Sequence, residues 1–234
     1  MSQTIAGEIG QDVTLEAGVT KYEKILPANI SGEIAGNFPN FIPRTDEPNF
    51  QSVPEMVEIL RGEKFYATTK MDGSSGTAFN WEERLGVCSR NWELKETEGN
   101  GFWRVTRKFL GELPEGYGVQ FELCGIGIQK NPAGLTEIMP LAFQVFDIGA
   151  RRYLDAEDFF KFCSDYTIPH VDIVQIGEVF DFDDDGLRHF AEGNYANGKN
   201  REGIVIRPMR EMRMPLIGGR VSFKVLNLQY QGDK

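Results

Sequence analysis

Cysteine and histidine are scarce in this chain of 234 residues. It has three cysteines, Cys88, Cys124 and Cys163, which lie far apart without a CxxC pair, and only two histidines. These counts exclude a disulfide framework and argue against a zinc site made of cysteine and histidine. We expect all three cysteines to behave as small buried hydrophobic residues.

Long hydrophobic runs are absent as well. The sequence has no stretch of about 18 apolar residues, which excludes a membrane-spanning helix. Residues 1–10 lack the basic start and apolar segment of a secretory signal, so we expect a cytoplasmic protein. The composition is 41% hydrophobic and 26% charged, which is enough for a folded protein with a substantial core.

Positive charge is in short supply. The formal net charge is −10, so the chain cannot coat nucleic acid by bulk electrostatics and any such contact must be local. Basic residues gather at 103–108 and at Arg207, Arg210, Arg213 and Arg220. Each cluster is either a solvated face, which is the commoner case, or a track for phosphates.

The chain divides into a polar start and one long patterned region. Residues 1–20 are predicted to be a linker or a remnant of a preceding domain, and residues 21–234 a single domain. Period-two alternation predicts strands at 64–70, 75–81, 84–89, 118–124, 141–148, 203–207 and 220–227. Helices are predicted after Pro54 and at 100–110, 155–165 and 187–192. Many strands with few helices indicate an α+β fold with largely antiparallel sheets and flanking helices.

The tetrapeptide Lys70-Met71-Asp72-Gly73 follows the first of these strands. A lysine beside an aspartate and a turn glycine is a candidate covalent nucleophile. Taken alone, the pattern is more often a strand-end turn with a solvated lysine.

Strand alternation also singles out Glu122 and Lys224. Each stands between apolar neighbours, so its side chain points away from the apolar face of its strand, as does that of Lys70. Three such groups could line one cleft between two sheets, or each could simply face water.

Glu202 opens a strand that is apolar on both faces and therefore buried. A carboxylate in that position suits metal or ligand binding. Arg207 closes the same strand, either as part of a site or as a structural ion-pair partner.

Six segments follow one another over about 155 residues. They are Lys70-Met71-Asp72-Gly73-Ser74-Ser75, Ser89-Arg90-Asn91, Phe121-Glu122-Leu123-Cys124-Gly125, Val145-Phe146-Asp147, Glu202-Gly203-Ile204-Val205-Ile206-Arg207 and Ser222-Phe223-Lys224. Their joint order resembles the motif set of the covalent nucleotidyltransferases, which comprise ATP-dependent DNA and RNA ligases and GTP-dependent mRNA capping enzymes. The resemblance implies the nucleotidyltransferase fold, with a nucleotide cleft between the sheets.

Further segments resemble the nick-sealing RNA ligases of the Naegleria and Deinococcus type. They are Lys21-Tyr22-Glu23, Phe41-Ile42-Pro43-Arg44-Thr45-Asp46-Glu47 and Gly127-Ile128-Gln129-Lys130-Asn131-Pro132. Those ligases carry an OB-type domain before the nucleotidyltransferase domain, and no match to it precedes Lys21. The resemblance implies an ATP-dependent RNA ligase domain in which the OB-type domain is separate or missing. The alternatives are a capping guanylyltransferase, a DNA ligase, or an inactive nucleotide- or RNA-binding module.

The resemblance implies that Lys70 attacks the α-phosphorus of ATP and carries AMP, which passes to an RNA 5′-phosphate before a 3′-hydroxyl displaces it. The substrate would be RNA ends or a nicked duplex with RNA on the 3′-hydroxyl side. An amine attacks only when neutral, and an ordinary lysine is deprotonated about once in 2,500 molecules at pH 7. Nearby cations can supply the difference, and Arg90 and Lys224 would serve together with Mg²⁺ or Mn²⁺ held through its water shell by Asp72, Glu122 and Glu202.

By the same resemblance, Glu122 contacts the ribose and the backbone of Thr69 meets the base edge. Phe146 stacks on adenine, although it could equally be a plain core aromatic, and Arg44 and Gln51 reach the nucleotide or RNA. One motif departs from the family. It usually reads K-x-K, whereas Ser222-Phe223-Lys224 offers one lysine, so either Arg220 or another basic group replaces the missing cation or strand joining is weakened.

Overall fold

The computed structural model describes residues 33–214 and 219–230. The chain divides into two units, Met1–Gly32 and Glu33–Lys234, and the structure described below is that of the second. The predicted linker at 1–20 and the segment Lys21-Tyr22-Glu23 lie outside the described residues, and the domain boundary stays a prediction. Within the described ranges, no helix is long and apolar enough to cross a membrane.

Eleven strands dominate the part of the chain that the structure describes. They are β1 (Ile34–Asn37), β2 (Lys64–Lys70), β3 (Ser74–Trp81), β4 (Arg84–Ser89), β5 (Trp92–Leu94), β6 (Tyr117–Cys124), β7 (Met139–Asp147), β8 (Arg152–Tyr153), β9 (Ile173–Val179), β10 (Gly203–Pro208) and β11 (Phe223–Leu226). Seven form a sheet in the order β1-β5-β4-β3-β6-β7-β8, and four form a second sheet in the order β11-β10-β2-β9. Neighbouring strands in both sheets are antiparallel.

Four α-helices are present among the described residues, namely α1 (Pro54–Leu60), α2 (Gly101–Phe109), α3 (Ala156–Asp165) and α4 (Asp184–Ala191). Their starts follow from local chemistry. Proline occupies the first position of α1, where its missing N–H costs nothing. The side chains of Asn100 and Asp183 accept hydrogen bonds from the first free backbone N–H groups of α2 and α4.

Each sheet has its own hydrophobic core. The seven-stranded sheet packs against α2 and α3 through a cluster that includes Val119, Phe121, Trp103, Phe159 and Phe162. The four-stranded sheet packs against α1 and α4 through a cluster that includes Phe65, Ile204, Phe223, Leu60 and Leu187. Since the helices cover these apolar faces, the polar side chains of the strands project from the opposite ones.

An irregular segment, residues 38–49, contacts both sheets. From the larger sheet, the Gln120 side-chain amide donates a hydrogen bond of 2.6 Å to the carbonyl oxygen of Pro43. From the smaller sheet, the backbone N–H of Lys224 donates one of 2.8 Å to the carbonyl oxygen of Pro48. The segment therefore runs across the space between the sheets.

A buried ion pair fixes the same segment to the centre of the smaller sheet. Arg207, which is 1% exposed, donates from Nη2 to Glu47 Oε1 at 2.8 Å. Burial raises the pKa of Glu47, but the guanidinium groups of Arg207 and Arg220 more than offset this and hold it below its usual value. Of the two roles open to Arg207 in the sequence, the structure gives that of an ion-pair partner.

The predicted α+β fold with antiparallel sheets and flanking helices is confirmed. Each predicted strand has a counterpart, although the last begins at Phe223, because Arg220 pairs with Arg213 in a separate bridge. The alternation pattern did not predict β9. This strand lies at a sheet edge and leaves Ile173, Ile176 and Val179 exposed, so its residues do not alternate between a buried apolar face and an exposed polar face.

Arg207→Ala should destabilise the fold by about 3–5 kcal/mol, because it leaves the Glu47 carboxylate buried without its partner. Urea unfolding followed by tryptophan fluorescence measures the change. Arg61→Ala is the matched control, since its ion pairs with Glu58 and Asp181 lie at the surface, and it should change stability little. Equal effects of the two substitutions would contradict a structural role for the buried pair.

Candidate active site

Lys70 and Glu202 meet because β2 and β10 pair antiparallel. The register places Gly203 opposite Lys70, so Glu202 lies next to the end of β2. Lys70 Nζ donates a hydrogen bond of 2.6 Å to Glu202 Oε2, and both side chains are between one fifth and one quarter exposed. The candidate nucleophile is thus ion-paired and still accessible.

The backbone around this pair is held from two sides. The Tyr195 hydroxyl donates to the carbonyl oxygen of Lys70 at 3.3 Å and accepts from the backbone N–H of Glu202 at 3.2 Å. Gly203 adopts φ +153°, and a Cβ there would come within 2.2 Å of the carbonyl oxygen of Val225. Only glycine allows β10 and β11 to approach so closely at this point.

Glu122 brings a second carboxylate to the same place. It lies on β6, opposite Ser75 of β3, and it interacts electrostatically with Lys70, Glu202 and Asp72. Burial raises the pKa of Glu122 to about 7, the nearby Lys70 opposes the rise, and Glu202 and Asp72 add to it. Burial likewise raises the pKa of Glu202, despite its bond to Lys70.

The predicted metal ligands are close enough to repel one another but do not form a closed cage. Asp72 Oδ2 accepts a hydrogen bond of 2.6 Å from the Tyr230 hydroxyl. No set of three side chains in the described ranges could ligate an ion directly. Crowded carboxylates with raised pKa values nevertheless suit a hard divalent cation that keeps part of its water shell. The residues present fit such an ion in that form.

Lys224 of β11 also faces this group, since its charge acts on Glu202. Ser222 stands where the K-x-K motif has its first lysine. Ser222 is buried, and its hydroxyl lies beside Glu47, whose pKa it helps to lower. Arg220 does not take the place of the missing lysine, because its guanidinium is bound to Glu211 and Gln144.

The remaining predicted nucleotide contacts are more scattered. Arg90 is exposed and pairs with Asp46 at 3.2 Å. Arg44 lies over the ring of Phe38, and Gln51 is exposed in the 3-10 helix Phe50–Ser52. These roles stay predictions.

Thr69 is buried beside Lys70, and its backbone N–H already donates to the carbonyl oxygen of Asp172 at 2.8 Å. That N–H can meet a base edge only if the hydrogen bond is exchanged. The predicted backbone contact of Thr69 therefore stays a prediction.

Phe146 lies away from Lys70. It pairs with Gly118, whereas Leu141, five residues earlier on β7, pairs with Glu122; five residues of strand span roughly 17 Å. Phe146 packs in a separate cluster that includes Phe79. Its predicted stacking on adenine stays a prediction.

Three residues near Lys70 were not identified from the sequence. Phe143 packs against a cluster that contains Met71 and Tyr195, and Tyr230 joins the same cluster. Phe143 could have been found by its spacing of two from Leu141 on the face of β7 that meets Glu122. The two tyrosines carry no local pattern that points to Lys70.

A cleft between two antiparallel sheets, with a lysine and three carboxylates at its edge, defines a nucleotidyltransferase-type ligase domain. The family model described as RNA ligase matches residues 63–226. The chain therefore belongs to the RNA ligase family. A comparison with curated proteins found no match.

Solved structures of a Naegleria gruberi RNA ligase are similar over almost the whole chain. A variant with ATP and Mn is 32% identical with a TM-score of 0.73, covering 95% of this chain and 66% of that one. The ligase with PPi is 33% identical with a TM-score of 0.74, covering 93% and 65%. A variant with AMP and Mn is 32% identical with a TM-score of 0.74, covering 95% and 67%. The chain thus spans about two thirds of the length of these ligases.

Glu122→Gln should stabilise the metal-free protein at alkaline pH but not at acidic pH. Because the folded pKa of Glu122 is raised, the fold favours its protonated form, and this contribution is lost as pH rises from about 4.5 through about 7. The gain of the variant over wild type should grow by up to about 3 kcal/mol between these limits. Unfolding in chelator at pH 5 and pH 8 measures it, with the exposed Glu63→Gln as control. A difference that does not change with pH would refute the shift.

Proposed function

We propose that this chain is the catalytic domain of an ATP-dependent RNA ligase that forms a lysyl-AMP intermediate at Lys70. The observation that carries the proposal is the placement of Lys70 Nζ 2.6 Å from Glu202, with Glu122 and Asp72 beside them. Membership of the RNA ligase family, and the ATP, AMP and PPi in the Naegleria structures, support it.

In the first step, the Lys70 amine attacks the α-phosphorus of ATP, an N–P bond forms, and the bond to pyrophosphate breaks. The amine needs a free lone pair, so its ion pair with Glu202 must loosen and its proton must leave. Glu202, hydrogen-bonded to Nζ and with a raised pKa, is placed to take that proton. Lys224 brings positive charge to the same edge, where it stabilises the phosphoryl oxygens.

Asp72, Glu122 and Glu202 would hold a divalent cation through its water shell, and the cation would neutralise charge at the α-phosphate. Tyr230 orients Asp72 through its hydrogen bond. Tyr195 keeps the backbones of Lys70 and Glu202 in register. These residues hold the reacting groups in place before the nucleotide arrives.

The base and ribose have separate partners in this arrangement. Glu122, on the face of β6 beside Lys70, is placed to bond the ribose hydroxyls. Phe143, which packs with Met71 next to the nucleophile, is the aromatic side chain that lies on the Lys70 side of β7. We assign adenine stacking to Phe143, whereas the sequence-based prediction gave that role to Phe146.

In the later steps AMP passes from Lys70 to an RNA 5′-phosphate, forming a pyrophosphate linkage, and a 3′-hydroxyl then attacks that phosphate and releases AMP. The proposed substrate is a nicked duplex with RNA on the 3′-hydroxyl side. With Ser222 buried and Arg220 engaged, Lys224 alone serves this motif. A group outside the described residues, such as an OB-type domain, would add contacts to the duplex.

Incubation with α-labelled ATP and Mg²⁺ or Mn²⁺ should leave label on the wild type, whereas Lys70→Ala should retain none, because no N–P bond can form. Lys64→Ala, an exposed lysine on the same strand, should label like wild type. Gel electrophoresis under denaturing conditions, with and without acid treatment, measures the phosphoramidate. Label retained from GTP instead would indicate capping chemistry, and no label from either would sink the enzyme assignment.

A nick that already carries AMP on its 5′-phosphate tests the last step separately. Such nicks with RNA on the 3′-hydroxyl side should be sealed at least about tenfold faster than those with DNA, since the 2′-hydroxyl offers a donor and an acceptor that DNA lacks. Single-turnover sealing measures the ratio. Equal rates would overturn the RNA assignment while leaving Lys70 chemistry intact.

A further inference from the structure

A cavity of about 740 Å³ opens at the end of β7 and β8. Most of its lining residues are arginines or aromatic residues. The arginines are Arg151, Arg152, Arg210, Arg213 and Arg220, and the rings are Phe41, Phe146 and Tyr153. We call it the arginine cavity.

The arginine cavity is separate from the candidate active site. None of Lys70, Asp72, Glu122, Glu202 and Lys224 lines it. Phe146 in its wall lies roughly 17 Å along β7 from the residue that pairs with Glu122.

The cavity lining carries more positive than negative charge, because it has five arginines and two carboxylates, Asp155 and Glu211. Glu211 is ion-paired with Arg220, and Asp155 accepts a hydrogen bond from the backbone N–H of Glu211. Arg152 and Arg210 are exposed and form no ion pair within the described ranges. In a chain with a net charge of −10, such a concentration of guanidinium groups marks a place for an anion.

The aromatic rings add a second requirement. Phe146 and Tyr153 meet edge to face with centroids 5.0 Å apart, and the Arg220 guanidinium lies 4.0 Å over the Tyr153 ring. Phe41 is half-buried and packs against the same hydrophobic cluster as Tyr153, a cluster that includes Phe146. Flat apolar walls beside guanidinium groups suit a planar base joined to a phosphate, and the volume lies within the range of small-molecule sites.

We propose that the arginine cavity binds one nucleotide of a single-stranded RNA, with its base against Phe41 and its phosphates at Arg152 and Arg210. The inference rests on the proposed function, since the RNA would be an unpaired segment of the substrate beside the nicked duplex. A free nucleoside phosphate has the same chemistry, and the experiment separates the two sources.

The proposal also separates the arginines of one basic cluster into two groups with different roles. The cluster consists of Arg207, Arg210, Arg213 and Arg220. Arg207 is buried and Arg220 is half-buried, and both are ion-paired, so they hold the structure together. Arg210 and Arg213 reach the cavity instead. One cluster therefore contains both structural and ligand-binding arginines.

The test measures fluorescence anisotropy of a short labelled single-stranded RNA without a 5′-phosphate, over a series of salt concentrations. The variants are the double substitution Arg152→Gln with Arg210→Gln, and Phe41→Ala. Lys161→Gln on the outer surface of α3 is the matched control. Thermal melting checks that each variant is folded, and labelling from ATP checks Lys70 chemistry.

The double variant should bind RNA at least about tenfold more weakly, and its log–log salt slope should fall by about 1.4, at roughly 0.7 for each lost phosphate contact. Phe41→Ala should weaken binding about tenfold with an unchanged slope, because stacking involves no counterion release. The control should match wild type in both measures.

Four results would overturn the proposal. RNA affinity and slope in both variants could equal those of the control, or wild type could fail to bind RNA. Labelling of Lys70 could fall in parallel with RNA affinity, which would make the cavity part of the ATP site. Affinity for free AMP could fall while that for RNA does not, which would assign the cavity to a free nucleotide. Absence of labelling in wild type counts against the proposed function alone.

Discussion

The antiparallel pairing of β2 with β10 is the constraint on which the site depends. Both strands are central in their sheet and almost wholly buried, so their register is strongly specified. A shift by one residue would turn Lys70 toward the hydrophobic core and separate it from Glu202. The same hydrophobic packing that stabilises the sheet therefore determines which amine and carboxylate meet, and the chemistry needs no extra device to bring them together.

Burial and neighbouring charges determine which carboxylates in the cleft are ionised. Glu122 and Glu202 are drawn toward their neutral forms, whereas Glu47, which has two arginine neighbours, is held ionised. Carboxylates of the same kind thus have different roles within one cleft. Those near Lys70 remain available for protons or a cation, and Glu47 serves as a fixed structural anion that ties residues 38–49 to the smaller sheet.

Residues with strong local patterns could be predicted from the sequence. Alternation identified Lys70, Glu122 and Lys224 as facing away from the core, and the apolar run after Glu202 identified β10. Tyr195 and Tyr230 escaped prediction because their partners lie 125 and 158 residues away in the chain, and no local periodicity records such contacts. The arginine cavity escaped for a similar reason, since its residues come from three distant segments that only the tertiary fold brings together.

The short segment from Pro169 to Asp172 has a mechanical consequence. It exchanges two backbone hydrogen bonds with Ala142 of the larger sheet and one with Thr69 of the smaller sheet, within four residues. These hydrogen bonds join the two sheets next to Lys70. These bonds resist separation of the two sheets at the point where Lys70 ends its strand.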